Sequence, residues 1–522
     1  MKMNKKNFFL LVLSVFLLNG TLFAQEQEEY EYLKNFTIIE PVHPHDFNPQ
    51  TTSYSSDAQI LTGLFEGLFT YDPVSLSPLY AVAKDYRISR DKKKWTFTIN
   101  PDAYFSNGDK ITAQSVRNSW LKLLSTPNAP YASLLDVIKG ASDYRNGKIS
   151  AEDVGIYANS EDSLSIHLEK PANYLPRLLC HSAFSIVHEN PYVFSGAFCL
   201  TETGQNYYKL EKNQYYWDKG SVNLEEIYFY QSDDAAENTF YFNTGIADWI
   251  TGNADTASLL NKNAFSLSSE FATSYFFFKV TGEPWNHVEF RAAIMEAVPW
   301  EVLRKDYYVP ATTFVYPLSG YPQVDGYSYS DVLEAKNMMK EAREKYGFSE
   351  DEVIPLVFEI TENSVSGERL TAFSDALAEL GVELIVKQKK PYEYYEGVAA
   401  SDSNMFLYTW IGDFADPLAF LELFRGDSTL NDSKWKNEEY DSLIDQAAEV
   451  SDTERYKLLA QAENLLLDEC LVLPIQHPVI YNIIDKNAVG GWSENAFDIH
   501  PLKYLYKKVE KTTVPNVVYL KN

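Results

Sequence analysis

The chain has 522 residues, a formal net charge of −28 and a hydrophobic fraction of 45%. This length exceeds what one hydrophobic core usually serves, so two or three domains are expected. The negative charge repels nucleic acid and anionic lipid surfaces and excludes them as electrostatic partners. The ordinary apolar fraction excludes a chain that is disordered throughout.

The first 24 residues predict a secretory signal peptide. Three lysines precede an apolar run at 8–18, and Ala24 ends an imperfect small-residue cleavage site. As a helix the run would rise about 16 Å, which is too short for a hydrocarbon core of about 30 Å. We expect an exported chain that begins near Gln25 with a net charge of −31 (−28 less three lysines) and no cysteine for lipid attachment. Whether the segment is cleaved or stays as an anchor is left open.

The cysteines and two of the histidines are the residues that could form a disulfide or a metal site. Cys180, Cys199 and Cys470 fit no zinc spacing, and the sequence is compatible either with one disulfide between the first two or with three free thiols. His43 and His45 lie on an extended loop around a proline with no third ligand nearby, so we expect no metal site.

The first part of the chain shows helix and strand patterns in turn. Apolar residues at helical spacing predict a helix over 55–71. Trp95, Phe97 and Ile99 alternate as one face of a strand, and Thr112 is expected to cap a helix.

The remainder continues this alternation. Residues 226–230 and 275–280 lack polar alternation, which predicts strands of a sheet covered on both faces. A strand at 355–360, a helix at 367–380 and a strand at 382–386 form a β-α-β unit, so the two strands should be parallel. Further helices are predicted over 290–298, 331–346 and 451–467. The predicted fold class is α/β.

The stretch 406–424 carries the clearest candidate site. An apolar, aromatic strand turns at Gly412-Asp413 and resumes as a helix at Asp416-Pro417, where an aspartate suits the N-cap and a proline the first turn. The turn leaves the Asp413 carboxylate among aromatic residues. Such a carboxylate either caps backbone N–H groups or binds a cation, and the pattern alone leaves both open.

No catalytic constellation is found. The sequence lacks the G-x-S-x-G and H-E-x-x-H motifs and the glycine-rich phosphate and dinucleotide motifs. Carboxylates are too frequent for any pair of them to indicate a glycosidase. We therefore expect no catalytic residue and no cofactor.

Seven short segments form a pattern that extends over most of the chain. They are LFEGL at 64–68, WTF at 95–97, FSNG at 105–108, TAQSVRNSW at 112–120, NQYYW at 213–217, PWNHVEFRAA at 284–293 and WIGDFADP at 410–417. In this order they resemble the periplasmic oligopeptide-binding proteins of ABC transporters, which are extracellular solute-binding proteins of family 5. The resemblance runs in register from about residue 36 to the C-terminus.

The resemblance implies the two-lobed periplasmic-binding-protein (Venus-flytrap) fold of type II, with an extra domain inserted into the first lobe and a two-stranded hinge. We expect the first lobe at 36–65, 194–283 and 495–522, the inserted domain at 66–193 and the second lobe at 284–494.

The resemblance also implies site residues. In the family, the aspartate after Trp-x-x accepts the α-ammonium group of the bound peptide, which corresponds to Asp413. A desolvated ion pair in a closed cleft discriminates strongly, and every unmodified peptide carries the partner charge. Trp410 and Tyr131 correspond to aromatic walls of side-chain pockets. Ordinary core packing is the alternative, and the family's placement of both positions at the cleft favours the wall role.

Two further segments correspond to the main-chain contacts of the ligand. Ser53, Tyr54 and Ser55 match loop residues that hydrogen-bond the peptide backbone. Thr409 and Ile411, with Trp410 between them, would supply the second edge, so that the peptide is bound as an added strand.

This sequence departs from the family pattern at several positions. Leu407 and Gly367 stand where related proteins place basic groups for the ligand's C-terminal carboxylate. Ser53 replaces an acidic pocket residue, and an expected pocket tryptophan falls near Pro391-Tyr392. The resemblance therefore implies anchoring of the ligand's N-terminus and leaves ligand length open.

The function implied is that of a periplasmic, monomeric binding protein. It would capture peptides and present them to ABC transporter permease subunits in the inner membrane, without enzymatic activity. One alternative keeps the fold and changes the ligand to a nickel chelate, haem, a sugar or a signalling peptide. Another is a secreted hydrolase or an adhesin.

Overall fold

The structure is a computed structural model that describes residues 34–52, 55–390, 393–394, 397–412, 414–428, 430–450 and 452–508. For Ser55, Ser56 and Asp452 it describes the backbone alone. Three sheets of four or more strands organise this part of the chain. The signal-peptide prediction falls outside it.

The first sheet has seven strands. In spatial order they are Phe265–Ser269, Val479–Ile484, Trp249–Ile250, Asn35–Glu40, Glu226–Gln231, Tyr207–Lys212 and Phe198–Thr203. The central strand Asn35–Glu40 is parallel to both of its neighbours. The prediction that 226–230 is covered on both faces is wrong. Tyr228 and Tyr230 lie on the more exposed face of this strand and alternate with buried residues. Two tyrosines conceal this alternation in the sequence, because a tyrosine can pack its ring while its hydroxyl reaches water.

The second sheet has five strands. In spatial order they are Val382–Lys389, Ile354–Thr361, Met405–Ile411, Ala272–Phe278 and Val472–Gln476. The predicted β-α-β unit is confirmed: the helix Gly367–Ala378 joins two strands that pair in parallel. Every residue of Ala272–Phe278 is buried, as predicted for a strand covered on both faces.

The third sheet has four antiparallel strands. In spatial order they are Ala83–Ile88, Lys94–Ile99, Ser163–His167 and Ile156–Ala158. Trp95, Phe97 and Ile99 are buried, as their alternation predicted. Two-stranded ladders join Phe69–Tyr71 to Pro78–Tyr80 and Val489–Gly490 to Tyr506–Lys507.

Twelve α-helices lie in the described residues. They are Ser55–Leu64, Ala113–Ser125, Ala141–Arg145, Leu175–Leu178, Ala235–Asn243, Val288–Ala297, Trp300–Leu303, Val332–Tyr346, Gly367–Ala378, Leu418–Leu421, Glu438–Glu449 and Asp452–Asp468. Thr112 caps its helix as predicted, because its hydroxyl accepts the N–H of Ser115. The helix predicted to reach residue 71 ends at Leu64 instead, because residues 69–71 pair as a strand.

The chain passes twice between the first and second sheets. It leaves the first sheet after Ser269 and returns to it at Val479, and the N–H of Glu270 donates to the carbonyl of Pro478 at 2.8 Å. Both passages come more than ten residues before the lobe boundaries that we expected at 283 and 494. The lobe boundaries stay a prediction. By sheet membership, 272–278 would belong to the second lobe and 479–484 to the first.

The apolar core follows the sheets. Buried residues of the second and third sheets belong to one cluster, while those of the first sheet are divided between two others. Cys180, Cys199 and Cys470 are free thiols. Of the two alternatives that the sequence left open, the structure therefore shows three free thiols rather than one disulfide. Among the described helices, none has both the length and the apolar character needed to cross a membrane.

Candidate ligand-binding site

A cavity of about 660 Å³ lies between the second sheet and segments that include Thr52, Tyr131 and His181. We call it the main cavity. Tyr131, Thr409, Trp410 and Ile411 all line it, so the structure brings together four of the predicted site residues although one of them lies almost 280 positions from the others.

The side chains of the other four predicted site residues lie outside the described part of the structure. Ser53, Tyr54 and Asp413 lie outside the described residues, and only the backbone of Ser55 is described, where it begins a helix. Their chain neighbours Thr52 and Gly412 line the main cavity.

A second cavity of about 600 Å³ adjoins the main cavity. Trp410, Ser133, Leu134, Leu423 and Leu430 line both. The indole N–H of Trp410 donates to the carbonyl of Ala419 at 2.7 Å, which fixes the ring at the passage between the two spaces. Trp410 is therefore a wall residue as well as a contact of the apolar core.

In the part of the chain that the structure describes, one edge of the strand Met405–Ile411 pairs with no other strand beyond Phe406, and its residues Thr409–Ile411 line the main cavity. On one side the strand pairs with Ala272–Phe278 along its whole length, whereas on the other side Ile354–Thr361 pairs only with Met405 and Phe406. The next residue on that side, Leu407, donates its N–H to the Tyr394 hydroxyl and accepts that hydroxyl's proton at its carbonyl, at 2.9 and 2.6 Å.

The ladder pattern then determines where the following main-chain groups point. The N–H of Gly412 donates to the carbonyl of Phe271 at 2.8 Å, so even-numbered residues of this strand bond towards Ala272–Phe278. The odd-numbered Thr409 and Ile411 therefore direct their N–H and C=O groups to the opposite edge, beside the main cavity. An extended chain could pair with this edge.

Polar groups of the main cavity are mostly neutral. Asp432 is the one carboxylate among its described lining residues, and it accepts the Tyr408 hydroxyl at 2.8 Å. Burial, together with the negative charge of Asp432, raises the pKa of Tyr408, so this tyrosine stays protonated. The Thr409 hydroxyl pairs with that of Ser274 at 2.8 Å.

His181 is a lining residue that the sequence analysis missed, because no motif surrounds it. Its ring centroid lies 4.2 Å from that of Tyr131, and its Nδ1 accepts the N–H of Ala183 at 3.2 Å. Burial lowers the pKa of His181 to about 4, so the imidazole is neutral at pH 7. Since Nδ1 is an acceptor, the proton is on Nε2.

The adjoining cavity is strongly charged. Arg425 contacts Asp427 at 3.1 Å and Asp445 at 3.2 Å, and Asp445 also contacts Lys170 at 2.5 Å. A ligand that extends past Trp410 would therefore leave an aromatic environment for one with fixed charges of both signs.

The helix that follows the candidate turn is anchored by a buried ion pair. The Asp416 carboxylate accepts the N–H of Leu418 at 3.0 Å and also contacts Arg455 at 2.7 Å. Both charged side chains are almost fully buried. The predicted N-cap is one residue early, because the helix Leu418–Leu421 has Pro417 as its N-cap. The sequence did not indicate Arg455, which lies 39 residues away.

Segment 170–177, which follows the third sheet, contacts residues 414–450 beside the adjoining cavity. Lys170 pairs with Asp445, the Asn173 amide donates to the carbonyl of Val450 at 2.9 Å, and the Tyr174 ring stacks on Phe414. Lys170, Tyr174, Phe414 and Asp445 all line that cavity.

A buried histidine cluster lies next to Thr52. His45 contacts Asp57 through Nδ1 at 2.7 Å and Glu40 through Nε2 at 2.6 Å. The expectation that His43 and His45 have no third potential ligand nearby is therefore wrong, because the fold brings Glu40 and Asp57 to them. Burial by itself lowers the pKa of His45, but hydrogen bonds to the two carboxylates raise it to about 9.

Comparison with known proteins identifies the family. Residues 77–432 match the model of the middle region of bacterial extracellular solute-binding proteins, family 5. This match spans more than half of the chain. The protein belongs to solute-binding family 5.

Relatives in this family match over most of their length. The chain is 28% identical to the oligopeptide-binding protein OppA of Bacillus subtilis, covering 92% of this chain and 94% of that protein. It is 27% identical to the dipeptide-binding protein DppE of the same organism, covering 83% and 84%. The structure of the Escherichia coli murein tripeptide binding protein MppA superposes with a TM-score of 0.76 at 20% identity, covering 91% and 98%. This family member therefore has the two-lobed α/β fold that the resemblance implied.

Proposed function

We propose that this family 5 protein binds peptides as an added strand in the main cavity and delivers them to the permease of an ABC importer. The observation that carries the proposal is the edge of Thr409–Ile411, which pairs with no described strand and whose main-chain groups face the cavity. Main-chain pairing gives affinity that is independent of ligand sequence. Relatives named as oligopeptide- and dipeptide-binding proteins support the same conclusion.

In this proposal, Asp413 accepts the ligand's α-ammonium group. Asp413 directly follows Gly412, a lining residue, and the described wall of the main cavity offers only Asp432 as another carboxylate. Asp432 is already hydrogen-bonded to Tyr408. Tyr131 and Trp410 form pocket walls, and Ser53, Tyr54 and Ser55 bond the peptide backbone from the first lobe.

The first experiment is mass spectrometry of the small molecules released when the purified protein is denatured. We expect a mixture of intact peptides within a narrow range of lengths, since the protein binds without hydrolysis. A single non-peptide compound, or peptides cleaved by the pure protein, would contradict the proposal.

The second experiment tests the anchor by calorimetry with a released peptide and its N-acetylated form. The wild type is expected to bind the acetylated peptide at least tenfold more weakly, which corresponds to about 1.4 kcal/mol. Asp413→Asn should lose this preference, and the matched variant Asp432→Asn should keep it. If the wild type bound both peptides equally, Asp413 would not accept the ligand's ammonium group. If Asp432→Asn lost the preference and Asp413→Asn kept it, the ammonium group would instead be bound by Asp432.

We also propose that the chain is exported by its N-terminal segment and acts as a periplasmic monomer. Its lobes would be those expected from the sequence, with the boundaries at 283 and 494 replaced by 270 and 477, where the chain passes between the first and second sheets. Fractionation of expressing cells, N-terminal sequencing of the exported protein and light scattering test these points. Retention of residues 1–24 or a stable dimer would contradict them.

A further inference from the structure

The buried histidine cluster joins three segments of the first lobe. Glu40 ends a strand, His43 and His45 lie on the following loop, and Asp57 lies in the first turn of the helix Ser55–Leu64. Ligand atoms of Glu40, His43 and His45 all lie within 4.8 Å of one another. The side chains of His45 and Asp57 are fully buried, whereas that of His43 is 21% exposed.

One ligand atom from each of three side chains lies within 4 Å of the other two. Nε2 of His43 lies 3.2 Å from Nδ1 of His45 and 3.8 Å from Oδ1 of Asp57, and Nδ1 of His45 lies 2.7 Å from that oxygen. A tetrahedral zinc ion with ligands at about 2.0–2.1 Å needs ligand atoms about 3.3 Å apart. The three observed separations lie on both sides of that value, so small movements would make them equal.

Hydrogen bonds at the far side of each ring leave these atoms available for coordination. The other nitrogen of His43, Nδ1, donates to the carbonyl of Pro41 at 2.9 Å, and Nε2 of His45 donates to Glu40 at 2.6 Å. Metal-ligating histidines usually donate their second N–H to a carbonyl or carboxylate in this way. Oδ2 of Asp57 accepts the Thr52 hydroxyl at 2.5 Å, which orients Oδ1 towards the histidines.

The two carboxylates satisfy both ring nitrogens of a protonated His45. The N–H at Nδ1 of His45 is shared between Oδ1 of Asp57 at 2.7 Å and Nε2 of His43 at 3.2 Å, and Nε2 accepts because the proton of His43 is on Nδ1. Three ligand atoms therefore converge on one proton, and a metal ion in its place would bind all three.

We propose that His43, His45 and Asp57 bind a divalent transition-metal ion, with Zn²⁺ as the ion that suits two imidazoles and one carboxylate. Glu40 and the carbonyl of Pro41 orient the two rings. The ion would tie the end of the central strand to the helix beside Thr52, and Thr52 lines the main cavity. This inference does not depend on the identity of the ligand in that cavity.

The test is calorimetric titration of chelator-treated, tag-free full-length exported protein with ZnCl₂. The wild type is expected to bind one equivalent, and its melting temperature should rise with added Zn²⁺ because only the folded state forms the site. Cobalt(II) should give the visible absorption of a site with nitrogen ligands. A wild type that takes up no Zn²⁺ would overturn the proposal and leave the cluster as an ion pair.

Variants locate the ion. His43→Ala removes one ligand without stranding a buried charge, and we expect at least a tenfold loss of Zn²⁺ affinity. The matched control is His188→Ala, because the side chain of His188 is similarly exposed at 24% and also contacts an aspartate, Asp109, at 3.2 Å. The control should bind like the wild type. Equal Zn²⁺ affinity in His43→Ala and the wild type would place the ion elsewhere and overturn the assignment.

Discussion

At the scale of single residues, Trp410 is the largest side chain among the five residues that line both cavities. Its ring lines both cavities, and its N–H bond to Ala419 holds the ring in one orientation. Trp410→Ala is expected to lower peptide affinity at least tenfold, because it removes apolar contact area and merges the two spaces. Trp410→Phe should lose less, since a ring remains.

Calorimetry with a released peptide measures these changes. Tyr192→Ala is the control, because Tyr192 is 78% exposed and lines neither cavity. Unchanged affinity in Trp410→Ala would show that Trp410 serves the core alone.

At the scale of elements, Glu463 connects the helix Asp452–Asp468 to the loop before Tyr321. Its carboxylate is fully buried and accepts the N–H groups of Phe314 and Val315 at 2.9 and 2.7 Å and the Tyr321 hydroxyl at 2.9 Å. Glu463→Ala would leave two buried N–H groups unpaired, so we expect a loss of about 2 kcal/mol or more in the free energy of unfolding. Denaturant unfolding measures this loss, and a smaller effect would mean that water replaces the carboxylate.

The same residue should make stability depend on pH. Burial raises the pKa of Glu463 to about 7 even though three hydrogen bonds favour the charged form. The folded state therefore keeps a proton that the unfolded state releases near pH 4.5, and this contribution to stability falls as pH rises from about 4.5 to 7. Glu463→Gln cannot titrate, so its stability should fall less over this range. Parallel pH profiles for the wild type and Glu463→Gln would contradict the prediction.

At the scale of the whole molecule, contacts between segment 170–177 and the second lobe should favour the closed state. Lobe opening would separate the pair Lys170–Asp445, so reversing one charge should shift the population towards open molecules. Lys170→Asp is expected to weaken peptide binding about two- to fivefold, in keeping with a partly exposed ion pair. Adding Asp445→Lys should restore much of the loss.

Small-angle scattering without ligand and calorimetry with a peptide measure this shift. Lys148→Asp is the matched control, because Lys148 forms an exposed pair with Asp143 within the inserted domain at 3.1 Å. If Lys170→Asp and Lys148→Asp weakened binding equally, the effect would come from net charge rather than from closure.

The sequence by itself determined the α/β class, the β-α-β unit of the second sheet, the buried faces of strands such as Lys94–Ile99 and the cap at Thr112. These features depend on the spacing of neighbouring residues, because side-chain periodicity and local hydrogen bonds act over a few positions. The order of seven short segments also indicated the family, and the family match bore this out.

Only the tertiary structure decided how these elements meet. It ended the first helix at Leu64, brought His181 beside Tyr131, joined Arg455 to Asp416 and placed Asp57 and Glu40 around His45. Among the described strands, it also left the edge of Thr409–Ile411 without a pairing partner, because Ile354–Thr361 pairs with only two residues of that strand. Local spacing specifies which face of an element is apolar. The partners of its polar groups depend on strand pairing between residues that are far apart in the chain.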